Sequence, residues 1–419
     1  MKRRQFLRQA ALTAGVFSIV PRQVLGGPGF LAPSDQLTKA IIGVGGMGQA
    51  HLNYAGRLVA ICDVDKNHLA STAAKVEAGI KTYHDFRELL QQPDIDVVHV
   101  VTPPHWHGLM AIAAAEAGKD IWCEKPMTRT IGEGLAVVKA VQERQRMFRL
   151  NTWFRFEDGF YGMNTPVAPI KKLVEQRAFG WPLKVTLNTS TGFDWKFYWV
   201  GRTDLTPQPV PAELDYDFWL GPAPVKPYHP HRVHGSFRGY WDYDGGGLGD
   251  MGQHYLDPVQ YLLEKDHTSP IFIEIDAPQQ HHDAVGIWRR IVYTYADGCQ
   301  IVLDGANEDK QAAFIEGPAG KLYRGMRSTL KNQDQLIASL PPSEPTVTTF
   351  SESVRTRRKF ALDEDKGFRS ATLVNLGLIA LRLGRNLVFD PDRICFPHDQ
   401  GANALIHQPM RGPWQYFKD

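Results

Sequence analysis

Apolar and polar positions along the chain alternate between strand and helix signals from residue 39 onward. Residues 39–42 form a short apolar run that stops at Gly43-Val44-Gly45-Gly46-Met47-Gly48, and helix-compatible residues follow. Residues 58–62 repeat the strand signal and end in Asp63. A third run, 96–101, leads into Thr102-Pro103-Pro104-His105-Trp106-His107 and an alanine-rich helical segment. A fourth, from Asp120, runs into Glu124-Lys125-Pro126. This order predicts a doubly wound parallel sheet of the Rossmann type, with ligands held by loops at the carboxyl ends of the strands. Beyond Asn151 the period shortens. Residues 184–190, 290–295 and 300–303 alternate as strands of an antiparallel sheet, with Ala296-Asp297-Gly298 as a hairpin turn. Leu373, Leu376, Ile379 and Leu383 fall at helical spacing, so a helix over 366–385 is expected to pack back toward the first half. The organisation expected is a leader and linker over 1–33, a Rossmann domain over 34–152 and a substrate domain over 153–419.

The glycine loop has the spacing of a dinucleotide site. Gly43 permits a tight turn, Gly45 lets a pyrophosphate approach the backbone, and Gly48 lets helix and strand pack closely; Gly46 and Met47 complete the loop. The pyrophosphate would sit on the helix N-terminus, where exposed N–H groups and the helix dipole favour an anion. Asp63 lies twenty positions after Gly43, where a carboxylate accepts from both ribose hydroxyls and repels a 2′-phosphate. No Arg or Lys stands at position 64 or 65, so the expected cofactor is NAD rather than NADP. Thr102, Pro103 and His107 are candidates to line the cofactor cleft.

Charge and cysteines narrow the partners. The formal charge is +2, but Lys2, Arg3, Arg4, Arg8 and Arg22 lie in the first 26 residues, which contain no acid; taking those five positive charges from +2 leaves −3. No basic stripe remains for a phosphate backbone, so nucleic acid is excluded as an expected partner. Arg3-Arg4-Gln5-Phe6-Leu7 precedes an apolar stretch too short to span a bilayer, which reads as a twin-arginine export signal and a periplasmic destination. A dinucleotide enzyme exported that way is expected to hold its cofactor tightly. The four cysteines are widely spaced, and His229, His231 and His234 lack a completing carboxylate or thiolate in sequence, so no disulfide or metal is expected.

At Glu124-Lys125-Pro126 the sequence resembles the Gfo/Idh/MocA oxidoreductases. The same resemblance takes in the glycine loop, Thr102 to His107, the run Gly245-Gly-Gly-Leu-Gly-Asp250-Met-Gly-Gln-His254, and Met410-Arg-Gly-Pro-Trp414. It implies a Rossmann domain followed by an α/β domain with a large open, mostly antiparallel sheet, assembly into a homodimer or homotetramer, and a sugar-like substrate. It also implies that Lys125, Asp250 and His254 frame a sugar carbon, with Glu124 and Lys125 beside the cofactor. The residues can be read independently. Asp250 and His254, four apart, share one helix face. Alcohol oxidation needs a base, which an imidazole titrating near neutrality supplies, and positive charge for the developing alkoxide, which a lysine supplies. The glycines before Asp250 are expected to bring backbone close to a ligand or to Lys125. Arg155, Tyr228, Arg238 and Trp241 are candidate substrate contacts. Two alternatives stand beside a net dehydrogenase: a glycoside hydrolase that oxidises, eliminates and re-reduces on one bound NAD, and a non-catalytic sugar sensor.

Overall fold

In a computed structural model, the structure describes residues 36–152, 155, 159–160, 165–339 and 347–415. The leader expected over 1–33 lies outside the described residues. Strands β1 (Thr38–Ile42), β2 (Arg57–Cys62), β3 (Lys81–Tyr83), β4 (Val97–Val100), β5 (Asp120–Glu124) and β6 (Phe148–Asn151) form one sheet in the order β3-β2-β1-β4-β5-β6, every pair parallel. The order reverses between β1 and β4, so the loops after these two strands open on a crevice. β4 and β5 are buried at every position because helices cover both faces of the sheet, and this is why they read as continuous apolar runs. The helices that matter for the site are α1 (Gly46–His51), α2 (Lys66–Ala73), α3 (His107–Glu116) and α4 (Ile131–Glu143).

The second sheet has seven strands: β7 (Lys184–Leu187), β8 (Phe272–Asp276), β9 (Arg290–Thr294), β10 (Gln300–Asp304), β11 (Ile315–Gly317), β12 (Gly320–Leu322) and β13 (Leu387–Val388). Its order is β12-β11-β7-β10-β9-β8-β13. The expected hairpin is β9–β10, with Gly298 at φ +85° in the turn. The sheet is mixed: β7 pairs parallel with β10, and the other pairs are antiparallel. Residues 189 and 190, expected to continue β7, instead begin a short 3₁₀ helix over Thr189–Thr191. There the Asn188 side chain accepts from the Thr191 N–H, and the Thr191 hydroxyl oxygen accepts from the Asn188 N–H.

Two helices tie the halves together. α5 (Gly246–Leu262) is buried at nearly every position, and α6 (Glu364–Leu383) packs on it. α6 also packs on α4, with the Phe368 ring over Gly134. Among the described residues no helix is long and apolar enough to cross a membrane.

Candidate active site

The loops after β1, β2, β4 and β5 line one side of a cleft, and the segment 218–250 lines the other. The cleft holds about 1230 Å³ of empty space, its open mouth included. The glycine loop fits a dinucleotide on steric grounds. Gly43 sits at φ +88°, and a Cβ at Gly48 would stand 2.2 Å from the Gly43 carbonyl oxygen, so Gly48 is a packing residue rather than a contact. A Cβ at Gly46 would meet nothing within 4 Å, which leaves that backbone open to the cleft. Asp63 follows β2, where its carboxylate accepts from the Val44 N–H at 2.8 Å and the Asp65 N–H at 2.9 Å. Gly43, Gly45, Gly46, Met47, Asp63, Thr102, Pro103, Glu124 and Lys125 all line the cleft.

His107 does not. It is 1% exposed, with Nδ1 at 2.7 Å from the Pro126 carbonyl and Nε2 at 2.7 Å from the Thr102 carbonyl, so it ties the two cleft loops to each other. Glu124 has a similar tying role at the cleft wall. It accepts from His51 Nε2, the Asn151 amide and the Lys125 N–H, which sets the course of the chain into Lys125.

The expected chemical centre forms around Asp250. The Lys125 ammonium donates to the Asp250 carbonyl at 2.7 Å and to its carboxylate at 3.0 Å. Arg238 Nε donates to the same carboxylate at 2.7 Å, and Lys196 reaches it at 3.3 Å. Burial pushes the Asp250 carboxyl up, but Lys125, Arg238 and Lys196 together hold it well below the usual carboxylate range. Three cations against one carboxylate leave net positive charge at the cleft wall. Lys196 went unread in the sequence, where nothing connects it to Asp250. The glycine run explains its arrival: a Cβ at Gly247 would stand 1.8 Å from the Trp195 carbonyl oxygen. Gly247 therefore admits the 195–196 segment, while Gly245 backs onto Leu378 and Gly246 onto Val285 and the Trp199 carbonyl.

His254 lies one turn from Asp250 on α5, 6% exposed and outside the cleft lining, with Nδ1 at 3.0 Å from the Thr152 hydroxyl. Burial, reinforced by the Lys125 charge, lowers its pKa to about 3. The near-neutral titration expected from sequence is thereby corrected, because a buried imidazole beside an ammonium stays neutral. Asp244, which precedes the glycine run, also lines the cleft. Burial raises its pKa to about 7 against the opposing charge of Arg238, with Asp250 adding to the rise.

Three of the four substrate candidates point elsewhere. Arg155 is buried in ion pairs with Asp257 and Asp266 and lies outside the cleft lining. Tyr228 packs edge-on to Tyr216 in a separate apolar cluster. Trp241 is 3% exposed, donates from Nε1 to the His281 carbonyl, and lines a different cavity. Arg238 alone lines the cleft.

The three histidines of the 229–234 loop diverge. His229 Nδ1 accepts from the His231 N–H, His231 faces the Tyr240 hydroxyl at 2.7 Å, and His234 turns to Asp65 at 3.5 Å. Asp65, His68 and His234 bring ligand-type atoms within 4.8 Å of one another at the Asp63 end of the cleft, a grouping that spans both halves and is invisible in sequence. More contacts close that end. The Asp215 N–H donates to the Val64 carbonyl at 3.1 Å, the Lys66 N–H to the Glu213 carbonyl at 3.0 Å, and His84 Nε2 lies 2.9 Å from the Asp215 carboxylate.

Comparison with known families matches this architecture. Residues 37–152 match the NAD-binding Rossmann fold of the Gfo/Idh/MocA oxidoreductases, and residues 163–416 match their C-terminal alpha/beta domain. The chain belongs to that family. Levoglucosan dehydrogenase of Pseudarthrobacter phenanthrenivorans is 36% identical over 162 residues, covering 35% of this chain and 39% of the relative. The alpha-N-acetylgalactosaminidase of Shewanella oneidensis is 29% identical over 222 residues, covering 45% and 46%. The matches thus span under half the length of these two curated relatives. In three dimensions the chain resembles the WlbA dehydrogenase of Bordetella pertussis in complex with NADH and UDP-GlcNAcA. The TM-score is 0.57 at 17% identity, over 85% of this chain and 99% of that one, a likeness of fold.

Proposed function

We propose that this Gfo/Idh/MocA oxidoreductase moves hydride between a tightly held NAD and a hydroxyl-bearing carbon of a sugar or sugar derivative. The observation that carries the reading is the convergence of Lys125, Lys196 and Arg238 on Asp250 at the wall of the glycine-loop cleft. Bound NAD supplies the hydride acceptor. Lys125 donates a hydrogen bond to the reacting oxygen and, with its two cationic neighbours, stabilises the alkoxide as it forms. Asp250 holds these cations in place. The hydroxyl proton leaves to solvent through the cleft mouth as the alkoxide forms beside these cations; His254, buried outside the cleft lining with a pKa of about 3, stays neutral and is not placed to take it. The levoglucosan dehydrogenase relative supports a carbohydrate substrate. Tight retention of NAD is supported by the contacts of residues 213–234 across the Asp63 end. We extend the proposal to twin-arginine export and to a homodimer or homotetramer, checked by periplasmic fractionation and by the mass of the purified assembly.

The test is to denature purified protein, identify the released dinucleotide, and screen sugars for reduction of the bound cofactor by its ultraviolet absorbance. Release of no dinucleotide together with no hydride exchange from any sugar refutes the reading. The galactosaminidase relative supports a second, redox-neutral reading. Aglycone release from a nitrophenyl glycoside without net NADH formation selects it.

Two results follow. Asp63→Ser removes the carboxylate that repels a 2′-phosphate, so the ratio of NADP to NAD affinity is expected to rise by about tenfold or more, since about 1.4 kcal/mol suffices for that. Fluorescence titration of cofactor-stripped protein measures it. For pH, His254 at about 3 contributes no step near neutrality, whereas Asp244 loses its proton through about 7. The carboxylate formed above that pH offsets the Arg238 and Lys125 charges. The Asp244 contribution therefore lowers the oxidation rate as pH rises, and Asp244→Asn is expected to remove that step from the kcat/KM profile.

A further inference from the structure

A second cavity, with about 790 Å³ of empty space including its mouth, opens behind the loop that follows Lys125, walled on the outside by the tail from 404 to 409. Two of its buried donors lack partners, although Arg129 Nη1 donates to the Trp241 carbonyl. Arg129 Nε and Asn375 Nδ2 are buried and make no hydrogen bond among the described residues, and Asn375 is 4% exposed. Such donors destabilise the fold if left unmet. The Arg382 side chain, at the rim, makes no hydrogen bond or ion pair among the described residues, and its guanidinium stands 5.9 Å from the Trp241 ring. Burial lowers the pKa of Arg129, opposed first by Glu133 and then by Asp242; partial enclosure at the rim lowers that of Arg382, opposed by Asp242. An anion in the cavity would relieve both. The acceptors in the wall are Asp242, which lies 3.7 Å from Lys226, and Asp244, which is shared with the cofactor cleft.

Donors that lack acceptors call for a ligand carrying negative charge. Carboxylates in the same wall call for hydroxyl groups on that ligand, and an indole calls for an apolar face beside them. We infer that this cavity binds a saccharide bearing a carboxylate, a uronate or aldonate, with Arg129, Asn375 and Arg382 on the carboxylate, Asp242 and Asp244 on the hydroxyls, and Trp241 against the ring. The site adjoins the cofactor cleft through Asp244, the residue common to both linings, and needs no turnover to be seen.

Isothermal titration of the full chain with D-glucuronate, D-glucose and inorganic phosphate tests it. Glucuronate is expected to bind one to one, with glucose and phosphate each weaker by about tenfold or more, the size of one charge-assisted hydrogen bond. Arg382→Gln, at an exposed rim position, and Asn375→Leu are each expected to weaken glucuronate by a similar factor. Lys125→Ala, in the cofactor cleft, is expected to leave that affinity unchanged. Arg382→Gln keeps the test decisive where Asn375→Leu fails to fold. Absence of saturable glucuronate binding overturns the inference, as does phosphate binding as tightly as glucuronate, which marks a plain anion site. Loss of binding in Lys125→Ala with none in Arg382→Gln also overturns it, because the ligand then sits in the cofactor cleft. That last outcome overturns the inference while agreeing with the proposed function, and the other outcomes leave hydride transfer untouched, so the two fail separately.

Discussion

Lys125→Ala is expected to lower the rate of hydride transfer by about 10²- to 10³-fold while the protein still purifies with its dinucleotide. The magnitude is that of one preorganised donor removed from a developing oxyanion. The lysine meets Asp250 through two hydrogen bonds, and the chain leading into it is set by Glu124 under His51 and Asn151. The glycine loop and Asp63 follow other strands, β1 and β2, so the substitution leaves those parts of the cofactor cradle in place. Single-turnover reduction of bound NAD measures the rate, and the dinucleotide content of denatured protein measures retention. A variant that turns over at the wild-type rate refutes the assignment of Lys125 to the reacting oxygen. One that loses both cofactor and rate moves the residue from chemistry to binding.

Arg155→Met is expected to destabilise the fold by about 3–5 kcal/mol, with no change in turnover per folded molecule. The Arg155 and Asp257 side chains are 1% and 0% exposed, joined through Nε at 2.9 Å and Nη2 at 2.8 Å. The guanidinium also holds Asp266 and lies over the Tyr261 ring. Removing it leaves the Asp257 carboxylate, already pushed upward by burial, without its cation. Urea denaturation followed by circular dichroism measures the loss. A raised KM with unchanged stability would instead return Arg155 to the substrate, the role its position after β6 suggests.

The first sheet was legible because each of its signals is local. A buried parallel strand reads as an apolar run, and Gly43, Gly48 and Asp63 mark the turn, the close packing and the carboxylate after β2 within about one βαβ unit. Arg155, Tyr228 and Trp241 were misread for one shared reason. Each is a large polar or aromatic residue in a loop, and composition does not say whether such a side chain faces a cleft, an ion pair or an apolar cluster. His107 was misread likewise, because a histidine in a ligand loop can as well bridge two carbonyls beneath it. Lys196 carried no readable signal, since its partner lies 54 positions away.

From the order of residues alone came the two-domain α/β plan, the dinucleotide loop, the carboxylate that closes β2 at position 63, and the pairing of Asp250 with His254 on one helix face. These depend on contacts within a few turns or strands, where periodicity and backbone geometry carry the information. Only the folded molecule decided which cations gather on Asp250, that His254 stays neutral, that the 213–234 segment closes the Asp63 end, and that a second cavity exists behind Trp241. Charge, burial and closure are sums over neighbours distant in the chain. They arise when the Gly247 backbone meets Trp195 and α6 meets α4, and no local pattern encodes those meetings.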